Sequence, residues 1–347
     1  MTLISSGFDN FAPNMLRFLS FLIIGSALLS CETKEVKIQQ LLLKGNIAIE
    51  ATQFEQASYY YKEALKLDSC FSDAWNNLGT IAFRTGRQDE AILNYDRAIQ
   101  CSPKPAYYLN RANAEFENKA FFSALKDIET FEIQKPDSIP AMVLKGLILA
   151  RLQQFEPANA IFTKILSIDS LNPDHWVNRA TVNYYKKAFM LSRPDLQKAL
   201  ELDSANSQAY NTLAMISAEE GSLDMATQLI EQALRFSPEH PHYLNNRGYI
   251  RLLKGDFTNG EKDLNESMIR EPDNAWVYRN KGILYLKLGK PESAEKLFRQ
   301  VLAMDSSVDK AAEYLGLSLL AGNKKTEGCR WLKKAGSSGL FSSNRCL

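Results

Sequence analysis

The chain has 347 residues, of which 45% are hydrophobic and 23% charged, with 12 prolines. That is the composition of a folded chain and excludes wholesale disorder. A formal net charge of +1 excludes the strongly basic footprint of most nucleic-acid binders, and there is no acidic excess to suggest a cation store.

Residues 1–30 read as a signal peptide. Met1 to Asn14 carries Asp9 and no basic residue, whereas Met15-Leu16-Arg17 is an ordinary charged start, so translation is expected to begin at Met15. The apolar run from Phe18 to Leu29 is too short to cross a bilayer as a helix. It ends in Leu28-Leu29-Ser30-Cys31, which resembles the lipobox of bacterial lipoproteins. The resemblance implies acylation of Cys31, palmitate included, followed by a short lipidated linker over 31–37. It also implies residence in the bacterial cell envelope, and the absence of aspartate at Glu32 favours the outer membrane. Several acyl chains on one cysteine anchor stably where a single short chain binds only marginally.

From there the sequence is periodic. A small residue recurs at Gly45, Gly79, Ala112, Gly146, Ala180, Ala214, Gly248, Gly282 and Gly316, every 34 residues apart from one step of 33 between Gly79 and Ala112. Twelve residues after each comes a second: Ala57, Ala91, Ala124, Ala158, Ser192, Ala226, Gly260, Ala294 and Gly328. Ser69, Pro103, Pro136, Ser170, Ser204, Pro238, Pro272 and Ser306 close the units. The best single unit reads Trp75-Asn76-Asn77-Leu78-Gly79, then Gly86, Ala91, Tyr95, Ala98 and Pro103.

This period and pattern resemble the tetratricopeptide repeat, with Ala82 standing where the family usually has tyrosine. The resemblance implies an all-α fold, a right-handed superhelical solenoid of nine helical hairpins over 38–335, with a C-terminal tail over 336–347. Each position has a physical reason. Small residues at the first two sites let helix A and helix B of a hairpin approach closely. A third small site (Ala64, Ala98, Ala199, Ala233, Ala335) permits close packing on the next unit, with Phe131, Ile165 and Val301 as bulkier substitutes. Gly86, Gly221, Gly255 and Gly289 suit the left-handed conformation that ends helix A. A single hairpin cannot bury its apolar face, so neighbours in a stack must.

Two local expectations depart from regularity. The fifth unit contains Ser192-Arg193-Pro194-Asp195, and proline fits only the first turn of a helix. Ser192 with Asp195 resembles a capping box, so helix B there is expected to start at about Arg193 or Pro194 and to be short, leaving a hinge. Cys70, Cys101, Cys329 and Cys346 show no zinc or redox spacing and are expected to be buried or free thiols. The last helix, Lys324 to Ala335, with Lys324, Lys325, Arg330, Lys333 and Lys334 against Glu327, reads as a solvated terminal face.

Catalytic signals are missing from the sequence. It has no phosphate-binding loop, dinucleotide fingerprint, HExxH or nucleophile elbow. Of three histidines, His240 and His242 are too few for a metal site. The chain is therefore read as a non-enzyme without cofactor or metal. In the resembled family helix A lines the inner groove, and the position two before the first small site points into it. Here that position holds Asn77, Asn110, Asn178, Asn246 and Asn280, interrupted by Leu43, Leu144, Thr212 and Tyr314. These five are the candidate peptide-binding residues, since a carboxamide can donate to one backbone group and accept from another. The alternative for them is bracing between repeats. The expected function is a protein–protein interaction scaffold of the envelope that binds partner proteins or extended peptides, with no nucleic acid. A polysaccharide or secretion assembly factor, using Tyr184, Tyr185 and Tyr249 as aromatic platforms, and a purely structural spacer are the rivals.

Overall fold

The structure is a computed structural model that describes residues 33–336 and Cys346. The signal peptide, the start at Met15 and the acylation site Cys31 lie outside the described residues. Every regular element among the described residues is an α-helix. The chain divides into two compact units at Leu152/Gln153. The first holds α1 (Lys34–Glu50), α2 (Phe54–Leu67), α3 (Ser72–Arg84), α4 (Gln88–Cys101), α5 (Pro105–Glu117), α6 (Phe121–Glu132) and α7 (Ile139–Arg151). The second holds α8 (Phe155–Ile168), α9 (Pro173–Tyr185), α10 (Phe189–Leu202), α11 (Ser207–Glu219), α12 (Leu223–Phe236) and α13 (Pro241–Leu253). It continues through α14 (Phe257–Arg270), α15 (Ala275–Lys287), α16 (Pro291–Met304), α17 (Ala311–Ala321) and α18 (Lys325–Lys334). Odd-numbered helices are the A helices of the repeats and even-numbered ones the B helices. The first helix begins at Lys34, within the segment read as a linker.

Helix starts follow local chemistry. Pro105, Pro173, Pro241 and Pro291 sit in first turns, where their missing amide costs nothing. Asn172, Asn206 and Asn274 accept from the backbone amides of Asp174, Ala209 and Trp276, capping their helices. The closing residue of a unit is clipped to the next A helix by a ring six residues on. Trp75 Nε1 donates to the Ser69 carbonyl and Trp176 Nε1 to that of Ser170, both at 2.9 Å.

The two helices of a hairpin touch where the sequence is small. An ideal Cβ placed on Gly45 would stand 2.3 Å from the Tyr61 ring, on Gly79 2.6 Å from Tyr95, and on Gly282 2.7 Å from Phe298. No rearrangement short of moving a buried ring would admit it. Where alanine replaces glycine, at Ala112, Ala180 and Ala214, the buried residue sixteen positions later shrinks to Ile128, Leu196 and Ile230. The second small sites Ala57, Ala91, Ala124, Ala226 and Ala294 are wholly buried. Gly–aromatic and Ala–aliphatic pairs thus fill the same gap in different ways, while at Gly248 and Gly316 the glycine faces a leucine instead, Leu264 and Leu332.

Nine turns between A and B positions share one backbone conformation. Gly86, Gly221, Gly255 and Gly289 have φ of +75°, +80°, +83° and +69°, as the sequence implied. At the equivalent place Thr52, Lys119, Gln153, Lys187 and Asn323 adopt φ of +57° to +61° without the benefit of glycine. The conformation is imposed by the hairpin, and side chains that dislike it comply.

Two expectations are corrected. Helix α10 runs unbroken from Phe189 to Leu202 with Pro194 inside it. The proline forfeits one backbone hydrogen bond, but Ser192 Oγ donates to the buried Ala180 carbonyl at 2.8 Å and Asp195 holds Arg179. Both contacts require Ser192 and Asp195 to be helical already, so packing overrides the capping signal and the hinge loses its basis. The four cysteines are not free thiols: Cys70 pairs with Cys101 and Cys329 with Cys346, with Cα atoms 5.2 and 5.6 Å apart. Cys70 precedes α3 and Cys101 ends α4, and the repeat brings these two corners together across 31 residues. At the C-terminus the basic helix is partly engaged, with Lys324 on Glu295 at 2.8 Å and Glu327 on Arg299 at 2.6 Å.

The turn geometry makes a reciprocal prediction. A left-handed non-glycine residue costs roughly 1–2 kcal/mol, partly offset by the extra entropy glycine loses on folding. Thr52→Gly should therefore raise stability by about 1 kcal/mol, and Gly86→Thr should lower it by at least as much. Urea unfolding midpoints of both variants check this; a lower midpoint for Thr52→Gly contradicts it.

Candidate functional site

The asparagines singled out in the sequence form hydrogen-bonded relays along the A helices. In the first unit Asn110 Nδ2 donates to Asn76 Oδ1 at 2.9 Å, and Asn76 Nδ2 donates to Asn77 Oδ1 at 3.1 Å. Asn77 Nδ2 then donates to Asn46 Oδ1 at 2.9 Å, which also receives the Tyr61 hydroxyl at 2.7 Å. The relay links α1, α3 and α5. Asn76 and Asn46 were not among the candidates, yet the relay needs both.

The second unit repeats the device. Asn280 Nδ2 donates to Asn245 Oδ1 at 2.9 Å, Asn245 to Asn246 at 3.2 Å and Asn246 to Asn211 at 2.8 Å, linking α15, α13 and α11. In both units an asparagine two before the small site donates to one three before the small site of the preceding repeat. Asn280 is 2% exposed, whereas Asn77, Asn110, Asn178 and Asn246 are half-buried. Asn178, on α9, makes no side-chain hydrogen bond to the described residues. A carboxamide has two N–H donors and two acceptor lone pairs, so each relay member that donates and accepts once keeps one N–H and one lone pair. Bracing and ligand contact are thus compatible in one side chain.

At the head of the second relay stands Arg279, 6% exposed. Its Nη1 donates to Asn280 Oδ1 at 2.8 Å and its Nε to the Asp309 carbonyl at 3.0 Å. The guanidinium lies over the rings of Trp276, Tyr249 and Tyr314, at 5.4, 5.5 and 5.5 Å from their centroids.

A second polar series, unmarked in the sequence reading, fastens alternate hairpins. Arg111 reaches Asp127 at 2.6 and 2.7 Å, Arg179 reaches Asp195 at 2.8 and 2.7 Å, and Arg247 reaches Asp263 at 2.9 and 2.8 Å, each through Nε and Nη2. The signal was available: Arg and Asp stand sixteen residues apart, astride the two small sites. In the sixth repeat the same two positions hold Leu213 and Leu229. Beside the first pin, Glu115 is buried with Oε2 unpartnered. Burial, reinforced by Asp127, pushes its carboxyl up to about 7 despite Arg111.

His240 and His242 lie with ring centroids 5.6 Å apart. His240 stacks on Tyr243, and His242 faces Glu271 at 3.2 Å. Among the described residues no group of three or more His, Cys, Asp or Glu side chains could hold a metal ion.

Comparison with known proteins agrees with this geometry. Family profiles described as tetratricopeptide repeat match residues 42–106 and 279–337, and a second such profile matches 207–240. Sperm-associated antigen 1 of Mus musculus is 24% identical over 151 residues, which cover 44% of this chain and 16% of that protein's length. The fold is similar to that of the human IFIT1 dimer with m7Gppp-AAAA, at 15% identity and a TM-score of 0.61, over 89% of this chain and 78% of that one. It is also similar to a chain of the APC/C hetero-tetramer Cut9-Hcn1, at 15% identity and a TM-score of 0.55, over 88% of this chain and 59% of that one.

Two predictions follow from the polar groups. Asp195→Leu strands a half-buried guanidinium and should cost about 1–3 kcal/mol, while adding Arg179→Leu, which reproduces the sixth repeat's leucines, should restore most of it. Urea unfolding of the single and double variants decides; a double variant as unstable as the single one refutes the argument. For Glu115, the folded-state carboxyl sits above its ordinary value near 4.5. The folded state therefore holds the proton more tightly, and the associated stability is complete below pH 4.5 and lost as pH rises through about 7. Melting temperature should fall between pH 5 and 8, and Glu115→Gln should flatten that fall.

Proposed function

Because the chain is a tetratricopeptide-repeat protein, we propose that it is a protein–protein interaction scaffold of the bacterial cell envelope, anchored by lipid at Cys31 and holding an extended polypeptide along its A helices. The observation that carries the reading is the pair of asparagine relays. They line up carboxamides on successive A helices, and the half-buried Asn77 and Asn246, each donating once and accepting once, keep one N–H and one lone pair for a peptide backbone. Contacts of that kind read the main chain and impose little sequence preference.

The envelope assignment is supported by the sequence of 1–31 and by the two disulfides, which persist in oxidising compartments. No helix among the described residues is long and apolar enough to cross a membrane, so attachment would come from the lipid. The rival polysaccharide platform is weaker. Tyr184 is stacked on Phe189 at 5.9 Å and Tyr249 faces Arg279 at 5.5 Å, so both rings are committed to protein contacts.

Single variants separate binding from bracing, with the partner taken from a pull-down on the mature domain. Asn178→Ala should weaken partner binding by several-fold, the equivalent of one hydrogen bond at roughly 0.5–1.5 kcal/mol, and leave the melting temperature unchanged. Asn280→Ala, which cuts a buried relay, should lower the melting temperature by a few degrees. Undiminished binding in both Asn178→Ala and Asn246→Ala overturns the peptide reading. For the anchor, Cys31→Ala should abolish acylation and release the protein from the membrane fraction; unaltered processing and retention rule the lipoprotein out.

A further inference from the structure

Helix α1 opens the stack, and its outer side bares positions that every later A helix keeps inside. Two residues after its small site stands Ile47, 57% exposed; in the later repeats, from Ile81 to Ser318, the same position is 0–2% exposed. Five residues before the small site stands Gln40, exposed, where the later repeats, from Ala74 to Ala311, are 0–6% exposed. In those repeats the preceding hairpin supplies the cover: Ile81 shares a core cluster with Ile38, Ala57 and Ala64. Among the described residues α1 has no preceding hairpin. Val36 and Leu43, 47% and 59% exposed, continue Ile47 into an apolar stripe along one side of the helix.

A terminal repeat ordinarily presents a polar outer face, which keeps a stack soluble. The other end obeys this rule, with Arg330, Lys333 and Lys334 exposed on α18. Helix α1 does not. Beside its stripe run Lys37 and Lys44, each one residue after an apolar member, both exposed and without an ion pair to the described residues. Lys34 at the helix start is exposed and unpaired as well. We propose that this face of α1 lies on the membrane, with Val36, Leu43 and Ile47 at the boundary of headgroups and acyl chains and the lysines among anionic headgroups.

The position of the helix in the chain favours that occupant. Cys31 is three residues before Lys34, so acyl chains on it would hold the bilayer within about 10 Å of the first turn. Those three residues are too few to cover a stripe that runs about 16 Å from Val36 to Ile47. A second copy of the chain suits the face less well. Between Glu35 and Glu50 the helix has no acidic residue, so a facing copy offers its lysines no counter-charge in mid-helix, whereas anionic headgroups do. The inference rests on the lipoprotein reading and adds a second contact beside the lipid, which would stop the stack from pivoting about Cys31.

The test uses the mature chain from residue 31 with Cys31→Ser, which carries no lipid and retains every described residue, sedimented with vesicles of phosphatidylethanolamine and phosphatidylglycerol. The chain should sediment with them and be a monomer by light scattering in their absence. Leu43→Asp with Ile47→Asp should lower the partition coefficient at least about tenfold. Lys37→Gln with Lys44→Gln should lower it about tenfold on these vesicles and leave binding to phosphatidylcholine vesicles unchanged. Should the aspartate variant fail to fold, photolabelling of the parent chain decides: a phospholipid with a diazirine on its acyl chain should label the peptide from Val36 to Ile47 and spare α3. No sedimentation, sedimentation that survives the aspartates, or label that misses α1 overturns the proposal. Self-association that the aspartates abolish also overturns it, because a second copy then covers the face. Fractionation of Cys31→Ala judges the lipid separately: release from the membrane with no vesicle binding by α1 leaves the lipid as the whole anchor, and vesicle binding with Cys31 unprocessed removes the lipoprotein reading alone.

Discussion

The closest approach of helix A to helix B is the constraint on which each hairpin depends. At Gly45, Gly79 and Gly282 a ring occupies the space where a Cβ would be, so the two backbones are as near as a flat side chain permits. That distance fixes the turn, because helices so close can be joined only by a chain that reverses at once through a left-handed residue. It also fixes the register, since Tyr61, Tyr95 and Phe298 reach their glycines only from sixteen positions downstream. Side chains at the turn itself then have no vote, and Thr52 and Lys187 accept a conformation that they would avoid elsewhere.

Around this apolar contact the chain distributes its polar groups in two ways. On alternate hairpins an arginine and an aspartate fasten A to B, and in the sixth repeat two leucines occupy the same places. Both arrangements fill the site, which fits the general finding that a buried ion pair and a well-packed apolar pair are close in net stability. The pair differs in being intolerant of halves. Along the A helices, asparagines bond to asparagines of the preceding repeat, so the face that would meet a ligand is ordered before any ligand arrives. Preorganisation of this kind reduces the conformational cost of binding. Among the described residues Arg279 and Glu115 are buried charged groups with polar atoms left unbonded, and both stand on A helices.

Much of this was legible in the residues. Nine small sites in phase gave the repeat, and the turn glycines gave the position of the left-handed residue. The asparagines two before the small sites were visible as a series. Of their acceptors, Asn76, Asn211 and Asn245 stand visibly one residue before that series, but Asn46 lies at a different offset, and only the placing of one A helix beside the next shows that these carboxamides are in reach. The Arg–Asp pins were overlooked for a related reason. A separation of sixteen residues means nothing until the hairpin has folded and brought the two helices into contact.

The sequence by itself determined the helical period, the hairpin as the unit and the small sites that let its helices meet, because those depend on local backbone preference and on side-chain volume repeated at fixed intervals. Tertiary structure decided what depended on neighbours in space. It kept α10 helical through Pro194, because Ser192 and Asp195 gain a buried hydrogen bond and an ion pair only in that conformation. It joined Cys70 to Cys101, because stacking sets the corners of successive repeats 5.2 Å apart at Cα. It left Arg279 without a carboxylate, a property of the space around a side chain that no spacing along the chain can record.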